Sequence, residues 1–221
     1  MPSTNPNFDP IYAALASLLI TSSIDFTATA TAGSAVLMGI ADTSELSAGL
    51  GVQGAGVPVG DFLQSVDSST QVTLSQPVNE SGTLSFNAGF TTTDPVAARL
   101  LRHWSVVDQL QQPALFLTQV NELSEKRPGQ LAKWTLNTLV WVYAMAPDDT
   151  TPSAPALNTL LGLIRNALGP DKTGAGRAQF RQTLGGLVFD VWIEGAIVTD
   201  QGFLGQQAVA KIPIRIIQNG P

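Results

Sequence analysis

Between Gln182 and Ile217 the chain alternates apolar and freer positions with a period of two. Leu187, Phe189, Val191 and Ile193 interleave with Val188, Asp190, Trp192 and Glu194, and Ala208, Ala210, Ile212, Ile214 and Ile216 with Val209, Lys211, Pro213, Arg215 and Ile217. Side chains on a strand point alternately to its two faces, so the pattern predicts two long strands with one buried face, joined by a polar, glycine-bearing turn. On the freer face Asp190 and Glu194 fall opposite Lys211 and Arg215, an arrangement expected to form cross-strand ion pairs. Pro213 has no N–H for a strand ladder and fits an edge strand or a bulge.

Elsewhere the period is that of a helix. Phe8, Ile11, Tyr12, Leu15, Leu18 and Leu19 predict a helix over 7–22 that packs on a sheet, with Asp9 as N-cap and Pro10 in the first turn. A second helix is expected over 94–110, opened by Asp94-Pro95 and stopped at Gln112-Pro113. Strands follow at Ala114–Leu123 and Trp134–Ala146, joined by the turn Glu125–Gln130. In the second of them Trp134, Leu136, Val140 and Val142 share one face, while Leu139, Trp141, Tyr143 and Met145 share the other. Both faces are apolar, so a second cover is expected, from a partner subunit or from the segment inserted upstream. Pro155 opens a third helix bearing Leu157, Leu160, Leu161, Ile164 and Leu168, which ends at Gly169-Pro170 and gives way to the polar, basic loop Asp171–Arg181.

Residues 24–89 differ in texture, with short apolar runs at Val36–Ile40, Val57–Val66, Val72–Leu74 and Leu84–Phe86 between Gly, Ser and Asp punctuation. They read as four to six strands. The fold class expected is therefore α+β: a mostly antiparallel sheet with helices on one face, built by residues 1–23 and 90–221, plus an inserted all-β, sandwich-like domain over 24–89.

Charge sharpens that division. The 221 residues carry a net charge of −6. All eleven Lys and Arg lie at Arg99 or later, whereas eight of the seventeen acids precede it, so residues 1–98 carry −8 and the rest +2. With a pI near 4.6 and no basic stripe, specific nucleic-acid binding is disfavoured. The absence of cysteine removes disulfides, thiolate metal sites and cysteine nucleophiles. The N-terminus shows no basic region followed by an apolar core, and no apolar run approaches a membrane span, so a soluble protein without a secretion signal is expected.

Candidate chemistry is thin. Gly49–Gly54 has the glycine spacing of a dinucleotide-binding turn but runs into Gly56 and Pro58 with no following helix, and reads as a turn cluster. Lys172-Thr173 resembles the end of a phosphate-binding loop, yet Asp171 places a negative charge where phosphate would sit. His103, the one histidine, has no histidine or cysteine to share a metal with, and no GxSxG elbow accompanies it. Asp148-Asp149 reads as a solvated turn. No catalytic residue, cofactor or metal is expected. Lys126, Arg127, Lys172, Arg177 and Arg181 fall in two loops, which are either solvated or an interface for an acidic surface.

Two resemblances give these patterns a context. AGSAVLMGIADTSELSAGLGVQGAGVPVGDFLQSVDSSTQVTLSQPVNESGTLSF resembles a small β-domain inserted in, or appended to, tailed-phage structural proteins. Its turn at Gly54–Pro58 and the run Val66–Ser75 carry the likeness. IYAALASLL, RLLRHWSVVDQLQQPALFL, KWTLNTLVWVY, ALNTLLGLIRNAL, QTLGGLVFDVWIEG and AVAKIPIRI together resemble the core of a tailed-bacteriophage tail terminator, or tail completion protein, over residues 7–22 and 94–217. Gln112-Pro113-Ala114, Gln182–Gly186 and Ile193-Glu194-Gly195 are its most specific points.

The resemblance implies a virion structural protein and no enzyme: a ring, expected to be hexameric, assembled in the host cytoplasm. It would end polymerisation of the tail tube and join the tail to the head-completion proteins of the neck. Its partners would be itself, the tail tube protein and neck proteins, with DNA passing through the ring and no membrane involved. In that setting the strand edge at Pro213 and Arg215 is where a neighbour's contact is expected. The alternatives are another connector or stopper protein of the neck, or a carbohydrate-binding adhesin. The 24–89 segment argues against sugar stacking, since its only aromatic residues are Phe26, Phe62 and Phe86.

Overall fold

A computed structural model gives the fold over residues 8–90, 101–126, 128–171, 180–201 and 206–219. The first element, α1 (Asp9–Ile20), buries Ile11, Tyr12, Leu15, Ala16 and Leu19 along one side. Phe8 occupies the N-cap position expected for Asp9, which instead lies in the first turn beside Pro10, where its charge complements the helix dipole. At the other end the hydroxyls of Thr21 and Ser22 donate back to the carbonyls of Ser17 and Leu18, and the chain leaves the helix for a strand.

Six strands follow: β1 (Ser23–Ala30), β2 (Val36–Met38), β3 (Gly51–Gly54), β4 (Leu63–Ser68), β5 (Gln71–Leu74) and β6 (Gly82–Gly89). They form one antiparallel sheet in the order β3-β6-β1-β2-β5-β4. Its two edges meet: Gly51 bridges to Phe62, the Val52 amide donates to the Asp61 carbonyl, and the Leu63 amide to that of Leu50. The expected sandwich is thus a single sheet rolled into a small barrel, and closure removes the exposed edges that two separate sheets would leave. Alternation along each strand fills the barrel, with Ala28, Leu37, Val52, Leu63, Val72, Leu74, Phe86 and Ala88 buried inside.

The helix expected over 94–110 is not seen in its described part. Residues 101–113 make two 3-10 turns, Trp104–Val106 and Gln109–Gln111, while 94–100 lie outside the described residues. Asp108 favours the turn, its carboxylate accepting from the Leu110 amide, a local bond that competes with helical pairing. Then come β7 (Ala114–Glu125), β8 (Lys133–Met145), α2 (Ala154–Ala167), β9 (Asp190–Ile193), β10 (Val198–Asp200) and β11 (Gln207–Asn219). β11 lies along the full length of β8, with Gln207 opposite Met145 and Asn219 opposite Lys133. β7 takes the far side of β8, so this second sheet is also antiparallel, as the α+β reading expected.

The predicted two-strand hairpin is a broken one. β9 and β10 lie end to end along the same side of β11, pairing with Ile214–Ile217 and Val209–Lys211 respectively. Between them the Glu194 amide donates to the Pro213 carbonyl, and Gly195 takes φ +106° against the proline ring. Pro213 therefore lies on an inner strand, at the break in its neighbour, and not on the open edge expected for it. A residue without an N–H is tolerated there because the outer strand is interrupted beside it.

Both helices pack on one face of the second sheet, over Leu115, Leu117, Leu136, Val140, Val142, Ala210, Ile212, Ile214 and Ile216. The buried cluster is continuous from there through α1 and α2 into the barrel. Met145 and Ala156 face Gly49, and the Ser47 and Thr159 hydroxyls are hydrogen-bonded. The opposite face has its own small core of Val107, Ala114, Phe116 and Tyr143. This part of the face is covered by the chain's own 101–113 segment, tied by the Tyr143 hydroxyl donating to the Arg102 carbonyl, and not by the barrel.

Candidate functional site

The basic residues singled out in the sequence do not form one patch. Lys126 is exposed at the β7–β8 turn. The Arg181 guanidinium lies 3.8 Å over the ring of Phe189, just before β9 on the opposite edge of the sheet. Arg215 is mid-face on β11, its Nη1 2.9 Å from Glu194 Oε1. Arg127, Lys172 and Arg177 lie outside the described residues. Of the expected cross-strand pairs, Arg215–Glu194 forms and the other does not. Asp190 falls opposite Ile217 and accepts from the Gln182 amide, whereas Lys211 lies three rows away over the Trp141 indole.

Register explains that outcome and reveals a site the sequence did not suggest. On the sheet face opposite the helices, Val198, Lys211 and Trp141 form one row and Asp200, Val209 and Tyr143 the next. With Thr199 and Gln207, the residues outward of Tyr143 line a pocket of about 380 Å³, floored by Trp141 and Val209. The Lys211 ammonium is 5.3 Å from the indole centre, and among the described residues no carboxylate pairs with it. The Trp141 Nε1–H donates to the Thr118 hydroxyl at 3.2 Å, which fixes the ring towards β7. Trp141 and Lys211 stand seventy residues apart in sequence, and only the β8–β11 register joins them.

The sheet's other edge carries the complementary feature. Among the described residues β7 pairs only with β8, and beyond a bulge at Gln119–Asn121 its residues are exposed on both faces. Val120 and Leu123 there are 54% and 53% exposed, and Val198 on the opposite edge is 62% exposed. Open edges with exposed apolar side chains are uncommon in proteins that remain single.

The barrel presents acids without cations. Asp67 loses some solvent but is held below the ordinary carboxylate range by donors from Ser65, Thr73 and Gln71. Asp42 is lowered likewise by the Ser44 amide and hydroxyl. Asp61 is the exception: fully buried at the barrel seam, it is pushed up by burial. Its Oδ1 accepts from the Ser75 hydroxyl and the Phe62 and Gln76 amides, and its Oδ2 has no partner. Asp148, expected in a solvated turn, caps its own turn by accepting from Thr150 and Thr151, which lowers its pKa. The His103 ring shares a hydrogen bond with the Ser105 hydroxyl.

Among the described residues no group of three or more His, Cys, Asp or Glu could hold a metal ion, and no helix is long and apolar enough to cross a membrane. The turn cluster expected over Gly49–Gly54 is mostly strand, since Gly51–Gly54 form β3 with turns on either side, and no helix follows to offer a phosphate its N-terminus. No protein-family model matches the chain, and no curated protein matches it.

Proposed function

We propose that this protein is a virion structural component that forms a ring at the head-proximal end of a phage tail, ending tube growth and joining tail to neck. The observation that carries this reading is the pair of open edges on the five-stranded sheet, β7 on one side and β9–β10 on the other, each with exposed apolar side chains. Two different edges on one chain favour a heterologous, head-to-tail contact, and such contacts close into rings when the rotation allows. The order of elements outside the barrel, together with the tail-terminator-like segments they contain, supports the tail-terminator assignment.

Within this reading the barrel is an insertion into the α+β core. Its first and last paired residues, Ser23 and Gly89, lie opposite each other on β1 and β6, so the chain enters and leaves at neighbouring points. Residues 24–89 contain six acids and no cation. Placed outward they avoid repulsion from the DNA that a tail channel conducts.

Negative-stain microscopy of the purified full chain, alone and with tail tube protein, tests the proposal. Closed rings that cap tubes are expected. A monomer that leaves tube length unchanged would refute it.

A further inference from the structure

The ring reading leaves open which surfaces meet, and the pocket beside Lys211 supplies an answer that rests on it. The pocket has an apolar floor of Trp141 and Val209, an exposed Val198 at its rim, and a cation over the indole with no carboxylate partner among the described residues. Such a site suits an apolar anchor followed by an acid. Asp200, the acid on the lining, is already engaged within its own chain.

β7 offers that anchor. Asn121, Leu123 and Glu125 lie opposite Asn137, Thr135 and Lys133, so all three project from one face. Leu123 is exposed, and Glu125 stands two residues on, about 7 Å along the strand. We propose that Leu123 of one copy fills the Trp141–Val198 pocket of the next, with Glu125 meeting Lys211. Because pocket and anchor lie on opposite edges of the same sheet, each copy uses one of each, and the contact repeats around a ring.

The chain contains no cysteine, which makes the contact directly testable. In the double variant Leu123→Cys, Val198→Cys the two thiols of one chain are separated by three strand spacings, about 14 Å, and by a six-residue offset along the strands, about 20 Å, and cannot form a disulfide with each other. Mild oxidation of the assembled protein should give a ladder of covalent multimers. The control Val59→Cys, Val198→Cys, with the first thiol on the barrel surface, should not. Lys211→Glu should raise the concentration needed for assembly about tenfold, and adding Glu125→Lys should restore it. Rings that form normally, with no Leu123–Val198 cross-link and no effect of Lys211→Glu, would overturn this contact while leaving the ring reading intact. A parent protein that stays monomeric at every concentration would overturn both.

Discussion

Gly49, in the barrel, is pressed against the carbonyl oxygen of Met145 at the end of β8: a Cβ on Gly49 would lie 2.5 Å from that oxygen. The neighbour is backbone and cannot swing aside, and Gly49 also has φ +93°, a region costly for any other residue. This contact joins the two sheets without a side chain.

Gly49→Ala is therefore expected to destabilise the protein by about 2–3 kcal/mol, combining backbone strain with separation of the barrel from β8. Gly33→Ala provides the comparison, since Gly33 has φ +80° but nothing within 4 Å. It should cost only the conformational term, about 1 kcal/mol. Urea titrations of the two variants give the difference, and equal losses would show that the barrel is not held through this approach.

Asp61 should impose a pH dependence of its own. Burial raises its folded-state pKa above the ordinary 3.8, so the folded protein holds this proton more tightly than the unfolded chain. The stability contributed by that proton is complete below 3.8 and is lost as pH rises through the folded value, at no more than about 1.4 kcal/mol per pH unit. Asp42, Asp67 and Asp148 act in the opposite sense, contributing stability above 3.8 that disappears as pH falls through their lowered values. Asp61→Asn keeps an oxygen for the Ser75, Phe62 and Gln76 donors. Its stability relative to the parent should increase as pH is raised from about 4 towards 7. A constant difference across that range would show that Asp61 does not titrate differently in the folded state.

The limits of the sequence reading follow from the same contacts. Long periodic segments such as β8, β11 and α2 were legible because one buried face dictates every second or every third and fourth residue. The hairpin was read as two long strands because alternation is blind to where a partner strand breaks. The break at Glu194–Ile197 depends on Gly195 facing Pro213, a tertiary relation. Residues 101–110 have helical spacing but fold into 3-10 turns, because they must lie flat over Phe116 and Tyr143. Barrel closure rests on backbone bonds between 49–52 and 61–63 that no side-chain pattern encodes. The pocket stayed hidden for a related reason: Lys211 looked like a partner for Asp190 until register set it over Trp141.

The cover on the outer sheet face can be loosened by removing one oxygen. The Tyr143 hydroxyl donates to the Arg102 carbonyl at 3.0 Å, and burial pushes its pKa up, so it remains a neutral donor. Tyr143→Phe should cost about 1 kcal/mol and speed amide exchange through 101–113, leaving β8 and β11 protected. Faster exchange throughout the sheet would instead mean that the segment and sheet open together.

The Arg215–Glu194 pair is the last of these tests, and the smallest in size. Its atoms are 2.9 Å apart, but the two side chains are 38% and 43% exposed, so water and salt screen the attraction. Arg215 Nε also reaches Asn137 Oδ1 at 3.5 Å, and Glu194 accepts from the Trp192 indole N–H. Arg215→Ala therefore removes more than the ion pair, and only a double-mutant cycle isolates it. Arg215→Ala, Glu194→Ala and the double variant should give a coupling of roughly 0.5 kcal/mol, shrinking at high salt. A coupling several times larger would mean that the pair fastens β9 to β11 beside the break at Gly195. In that case β9 should become the first part of the sheet to exchange its amides when either charge is removed.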